Sequence, residues 1–430
     1  MKKKIYLIGL NLYSIFLALK IRSKGKYEDI TIIEGSANFI NAFKKIKIKN
    51  YTLNPGFHAL ENIRSTKLLN LLSKEIKFKK ISKTRGLLIG ENLISHLDAY
   101  DKWPKNILSK FIIKKKKVTL NPLKNIKFLN KNYLRYLTDN YFGKENNIKD
   151  TISASYPWFF PTNYNILSND EAALFNKKVR EKKIKHSFVF PQKGHFSEIS
   201  KALKVMLKNK NISVKLNKPV KFHKREGKVF FEGVKDLENL GDKKIICIPV
   251  KPLSDSIKNK ISTPKLKPIK YFTGLIEIKN FIKSDLDKFC EIIVSSEFAF
   301  GLIRVSQYSD VFNIRNKKIY QIEFIEHSKE QDVDLQIKRI ITLLSKFIVF
   351  KDKKSTRNIK LVGYSWVRNI FRPDKKYIKK ITSNTIKFFK DKDKENIIFP
   401  RQITWPINSN KHLLYAEEDY NKKIKKFLND

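Results

Sequence analysis

A chain of 430 residues exceeds what one ordinary hydrophobic core organises, so a single small module is excluded and two or three packed units are expected. Hydrophobic residues at 41% and aromatics at 12% exclude a largely disordered protein. The formal net charge of +49 suggests a polyanion partner, but only 13 of the 90 basic residues are Arg, and the lysines run the whole length beside abundant Asn and Ile. That pattern is a compositional bias rather than a binding stripe. Its longest basic run, Lys114 to Lys117, reads as a solvated loop or helix end.

Met1-Lys-Lys-Lys followed by the apolar Ile5 to Leu19 imitates a signal peptide. No small-residue cleavage site follows, Lys20, Arg22, Lys24 and Lys26 come next, and Gly9 and Asn11 interrupt the apolar stretch. The same residues read better as a strand, Ile5 to Ile8, ending in Gly9. A helix follows, with Leu12, Ile15, Phe16 and Leu19 on one face and basic residues closing it. Ile30 to Ile33 then forms a second buried strand, ending in Glu34. Strand, turn, helix, strand and acid make a βαβ unit of the dinucleotide-binding kind. In such a unit a pyrophosphate sits on bare N–H groups at the helix N-terminus, and the acid binds a ribose hydroxyl. The turn reads Gly9-Leu-Asn11-Leu-Tyr-Ser14, with the first of three fingerprint glycines present and Glu34 twenty positions after Ser14. Asn11 is chosen for its tolerance of unusual backbone angles, and Ser14 for close helix-to-strand packing. A parallel βαβ core without a nucleotide accounts for the same residues.

Further along, residues 101 to 189 carry Trp103, Tyr133, Tyr136, Trp158 and neighbouring aromatics, read as a helical insertion. Within it Asp170-Glu171 follows Ser168-Asn169 as a helix cap. Alternating runs at Gly274 to Ile278 and Lys318 to Phe324, then a helical run from Asp334 to Leu344, predict an antiparallel sheet with helices alongside. Cys247 and Cys290 are isolated in apolar runs, which excludes a disulfide framework and a structural zinc site. They are expected to be buried thiols in a reducing compartment, and no metal site is expected.

Several stretches together resemble the flavoprotein superfamily of amine oxidases, protoporphyrinogen oxidases, phytoene desaturases and UDP-galactopyranose mutases. Beyond the βαβ unit they are Asn54-Pro-Gly56-Phe-His58, Phe190-Pro-Gln-Lys-Gly194 leading into a helix, Ile212 to Leu216, Pro219-Val220 with the hairpin to Phe231, and Lys244 to Pro249. The resemblance implies an α/β architecture, with a Rossmann-like FAD/NAD(P)-binding domain and a substrate domain built on an antiparallel sheet plus helices. Residues 1–100, 190–260 and 390–430 are assigned to the first, and 261–389 to the second. It also implies FAD held by Gly9, Asn11, Ser14, Glu34, Gly56, Val220 and Arg401. The chain departs from the family where Ile40-Asn41 replaces a paired glycine and where Asn396 to Arg401 leads to the final helix, Glu417 to Phe427, without a glycine.

Because Arg is scarce while Lys is everywhere, positions that keep Arg are candidates for bidentate anion recognition. Arg304, Arg368 and Arg372 are therefore assigned to an anionic substrate. Tyr308 is assigned a catalytic place beside Arg304, on the same strand face if the strand continues that far. His58 is the second catalytic candidate, facing the flavin as in mutase-like relatives. Tyr364, Trp366 and Trp405 are read as core aromatics. The expected function is FAD-dependent oxidoreductase or mutase chemistry on a small or sugar-nucleotide substrate, in the cytoplasm, with no specific nucleic-acid partner and at most peripheral membrane contact. Two other classes share the pattern: a binding or assembly module that keeps the fold without flavin, and a lysine-rich polyanion binder.

Overall fold

The computed structural model describes residues 4–25, 29–40, 43–54, 60–61, 66–89, 92–95, 187–225, 228–237, 242–248, 268–295, 299–327, 332–352, 355–371, 396–399 and 409–429, with short pieces at 253, 256–257, 383–385 and 387–389. Strand β1 (Lys4–Ile8), helix α1 (Leu12–Arg22) and strand β2 (Asp29–Ile33) form the βαβ unit, with β1 and β2 paired in parallel from Lys4↔Asp29 to Ile8↔Ile33. A five-stranded parallel sheet grows from this pair. Its order is Ile212–Lys215, β2, β1, Lys243–Ile246 and Ile397–Ile398. Continuous apolar runs suit this position because both faces are covered. Ile5, Leu7, Tyr13, Phe16, Phe190 and Leu203 share one core cluster, while Tyr6, Ile8, Ile33, Val220 and Phe222 share another.

The strand Lys243–Ile246 begins with two lysines that lie inside, at 3% and 1% exposure. Their stems pack as hydrocarbon and their ammonium groups find other partners. Lys243 lies over the Phe427 ring at 4.9 Å; Lys244 lies over Phe231 at 5.5 Å and donates to the Asp242 carbonyl at 3.1 Å. The C-terminal helix runs Ser409–Asp419, passes through a wider turn at Tyr420–Ile424 and ends at Lys425–Asn429, longer than the spacing of its apolar residues predicts. It packs on α1, where the buried Tyr13 hydroxyl donates to Asp419 Oδ2 at 2.9 Å.

The second sheet has seven strands, in the order Ile359–Phe371, Pro268–Ile278, Lys318–Ile325, Leu302–Gln307, Phe289–Ser295, Thr84–Ile89 and Asn92–Ser95. Every pairing is antiparallel except Phe289–Ser295 with Thr84–Ile89. Residues 84–95 thus extend the antiparallel sheet, although sequence position assigns them to the dinucleotide-binding segment. A short apolar run does not encode which distant strand it joins. The helix Val333–Ser345 covers one face with Ile337, Ile340, Leu343 and Leu344. Trp366 is 53% exposed, so its place is on the surface rather than in the core. Cys247 and Cys290 are both buried and unbridged. Among the described residues no helix is long and apolar enough to cross a membrane.

His412, buried in the C-terminal helix, has its pKa pushed down to about 4 from 6.5 because burial penalises the charged imidazolium. A depressed folded-state pKa gives stability that is complete above 6.5 and lost as pH falls toward 4, because the unfolded chain takes up the proton first. The loss is on the order of 3 kcal/mol. Thermal unfolding of His412→Gln across this range should show a flatter acid limb than the parent; parallel curves would contradict the assignment.

Candidate dinucleotide site

The turn after β1 sits at the carboxyl edge of the parallel sheet, where open α/β sheets place ligands. Gly9 has φ +102° and donates its N–H to the Ile33 carbonyl at 2.8 Å. A Cβ there would lie 2.8 Å from Ile248 Cγ1 and 2.9 Å from Ile248 N, so packing against the chain after the neighbouring strand already requires glycine. The next residues satisfy one another. Ser14 N donates to Asn11 Oδ1 at 3.0 Å and Asn11 N donates to Ser14 Oγ at 3.0 Å, a reciprocal capping box on α1. Asn11 Nδ2 donates to the Cys247 carbonyl at 2.8 Å, which ties the turn to the end of a second strand. The Asn11 backbone is extended, at φ −153°, so its side chain, not a tolerance for unusual angles, explains its presence.

Glu34 closes the other side. Its Oε2 accepts from Leu10 N at 2.8 Å and its Oε1 from Ser36 N at 2.9 Å. Its own N–H donates to the Lys215 carbonyl, and its carbonyl accepts from Lys218 N, both at 2.9 Å. The carboxylate is thereby fixed between Leu10 and Ser36, and the backbone of Glu34 is tied to the segment leading to Val220. A Cβ on Gly35 would come 3.3 Å from Pro219, and Val220 is itself 9% exposed among Tyr6, Ile8, Ile33 and Phe222. Each Glu34 oxygen keeps a further lone pair for a ribose hydroxyl. The residues therefore fit the ribose end of a dinucleotide. They do not present a bare pyrophosphate cradle, because the N–H groups of Leu10, Asn11 and Ser14 have partners within the chain. Ile40, at the register of the family's paired glycine, holds a glycine-like backbone with φ +55° while its side chain is buried.

A polar layer runs through the antiparallel sheet to the loop at Gly194. Asn54 Nδ2 donates to the Gly194 carbonyl and its Oδ1 accepts from Phe196 N, each at 3.1 Å, clamping the loop before the helix Ser197–Asn209. Gln321 of the antiparallel sheet donates to the Asn54 carbonyl at 2.9 Å and to Glu323 Oε1 at 3.2 Å. Glu323 Oε2 lies 3.3 Å from Arg304 Nε, Arg304 Nη1 lies 3.5 Å from Glu291 Oε2, and Glu291 Oε1 is bound by Arg85 through Nε and Nη2. All four charged side chains are buried. Two guanidinium groups thus meet two carboxylates, and the anion that Arg304 requires is supplied by the protein itself.

Tyr308 also lies elsewhere than its spacing predicts. The strand ends at Gln307 and Tyr308 begins a short helix, so the alternation that would align it with Arg304 stops. Its hydroxyl donates to the Thr52 carbonyl at 2.8 Å, its ring packs on Tyr51 and Phe312, and burial pushes its phenol above the usual range. These contacts give it a packing role. Arg368 lies in the edge strand opposite Tyr271. Gly56, His58, Arg372, Arg401 and Trp405, with Lys114 to Lys117 and Asp170-Glu171, lie outside the described residues. Arg85, Glu291 and Gln321 are not singled out by the sequence, and Asn54 only as the first residue of its stretch; the one signal was the rarity of Arg, which applies to Arg85 as much as to Arg304.

A separate groove of about 1080 Å³ opens at one end of the antiparallel sheet, where Lys279, Arg315, Lys317 and Lys351 face Glu277 and Asp310. Asp310 is already held by Lys83 at 2.5 Å and Lys318 at 3.7 Å. None of its lining residues belongs to the turn described above. Among the described residues no cluster of three or more His, Cys, Asp and Glu side chains is placed to hold a metal ion.

No protein-family model and no curated protein matches the chain. Solved structures do. Reduced UDP-galactopyranose mutase aligns with 97% of this chain and 95% of its own at TM-score 0.61 and 11% identity. A putative protoporphyrinogen oxidase from Exiguobacterium sp. 255-15 aligns over 100% of both at 0.57 and 10%. Wild-type putrescine oxidase bound to putrescine aligns over 99% of both at 0.55 and 12%. The chain has the α/β fold of these proteins over essentially its whole length. At such identities the likeness is one of fold.

Glu291 is the carboxylate shared by both guanidinium groups. Glu291→Ala should cost on the order of 3–5 kcal/mol in chemical denaturation, because it leaves buried positive charge unanswered. A loss below about 1 kcal/mol would mean that the network contributes little.

Proposed function

We propose that the chain binds FAD at the carboxyl edge of its parallel sheet and acts as an oxidoreductase or mutase on a small or sugar-nucleotide substrate. The observation that carries this reading is the carboxylate of Glu34 fixed by the N–H groups of Leu10 and Ser36, in a fold shared end to end with flavin enzymes. Glu34 would accept the ribose hydroxyls, Val220 would face the adenine with its backbone, and Arg401 would stand on the flavin side. A bound isoalloxazine supplies the electron chemistry, and the chain supplies position, charge and exclusion of water. With Arg304 matched internally, Arg368 and Arg372 remain the candidates for a substrate anion and His58 the catalytic candidate, on the sequence alone.

A second reading, a binding module that keeps the fold without flavin, draws support from the turn whose N–H groups are already bonded. Absorbance of the purified protein and titration with FAD separate the two. The flavin reading expects a yellow protein, or one that takes up FAD weakly. It also expects Glu34→Ala to weaken uptake about tenfold or more, the size of a lost charge-assisted hydrogen bond. Colourless protein that fails to take up added FAD would leave the flavin-free reading standing. The lysine excess enters as composition, so any nucleic-acid binding should be unselective and fall steeply between about 50 and 200 mM salt. Sequence-selective binding that survives physiological salt would contradict that account.

A further inference from the structure

We infer that Asn11 and Ser14 form an internal lock on the turn after the first strand, so that a dinucleotide gains the N–H groups of Asn11 and Ser14 as phosphate contacts only by opening the capping box. The inference rests on the flavin reading above and adds what sets its affinity. Helix N-termini bind anions because their first N–H groups lack partners inside the helix. Here the chain has made its own substitutes for the anion. Asn11 Oδ1 stands as the acceptor for Ser14 N, and Ser14 Oγ as the acceptor for Asn11 N, each at 3.0 Å. The lock is braced from outside the helix, since Asn11 Nδ2 holds the Cys247 carbonyl at 2.8 Å and Ser14 Oγ also donates to the Asn11 carbonyl at 2.9 Å.

Both residues occupy fingerprint-glycine positions, and glycine at either would remove one half of the reciprocal pair. A pyrophosphate that takes these two N–H groups must displace Asn11 Oδ1 from Ser14 N and release Asn11 N from Ser14 Oγ. Asn11 Nδ2 then keeps or loses Cys247 according to how far the side chain turns. The chain is consequently tuned toward loose or exchangeable occupancy, with the ribose end at Glu34 as the anchor.

The test uses the full chain and FAD as the probe, read by quenching of flavin fluorescence on titration. Asn11→Gly/Ser14→Gly should bind FAD tenfold or more tightly than the parent, and Ser14→Gly alone should lie between. Asn11→Asp keeps a capping acceptor and therefore the helix start, but places a carboxylate where the phosphates come; it should bind at least tenfold more weakly. Unfolding midpoints establish that each variant is folded, and Asn11→Asp remains informative if the glycine pair is not. Equal affinity across all variants overturns the lock and leaves the flavin reading intact. Failure of the parent and of the folded glycine variants to bind FAD overturns both. Uptake by the glycine variants alone supports the lock and makes the parent a flavin-free form of the fold.

Discussion

The organisation of this molecule turns on a few backbone N–H groups at the end of its first strand. In a parallel sheet the loops at the carboxyl edge converge, and each polar group there needs a partner from a ligand, from water or from the chain. Glu34 answers Leu10 and Ser36, and Asn11 and Ser14 answer one another. Asn11 also reaches the Cys247 carbonyl through its side chain, a tie that a glycine-rich turn would lack, and the Glu34 backbone is bonded to Lys215 and Lys218, so the ends of four segments meet here. The same bonds that make the edge self-sufficient decide how readily it admits phosphate.

A second constraint lies in the antiparallel sheet. Asn54 ties the loop at Gly194 to Gln321, and from there Glu323, Arg304, Glu291 and Arg85 continue as a neutral buried array. Buried ion pairs of this sort seldom add much over a hydrophobic filling, but the removal of one member is severe. The ion pairs run across four neighbouring strands of the antiparallel sheet, and it is Gln321 with Asn54 that holds that sheet to the loop preceding the helix Ser197–Asn209. The charge that could have served a substrate is consumed within the sheet.

The parallel sheet was legible because its strands are continuous apolar runs and because Gly9 and Glu34 stand at fixed distances from them. The hairpin after Val220 was read from the order of elements that the resemblance implies, and the strands pair as such a hairpin. Strand Lys243–Ile246 was readable only from its apolar half, since buried lysine stems look like surface charge in a sequence. The move of residues 84–95 into the other sheet depends on pairing with Phe289–Ser295, some two hundred positions away, and no local pattern records it. Arg304 was correctly singled out as unusual, yet its partners come from other strands, so the sequence showed the need for an anion without showing that the chain provides it. Tyr308 failed for a local reason: the strand turns into a helix at that residue.

The most direct measurement of this account is amide hydrogen exchange at Leu10, Asn11 and Ser14 in the ligand-free protein, followed residue by residue. If these N–H groups are bonded to Glu34, Ser14 and Asn11, they exchange slowly in the absence of any nucleotide, and Glu34→Ala speeds Leu10 while leaving Asn11 and Ser14 protected. Exchange at all three as fast as in an exposed loop, slowed only when FAD is added, would contradict the claim that the chain itself fills its pyrophosphate turn.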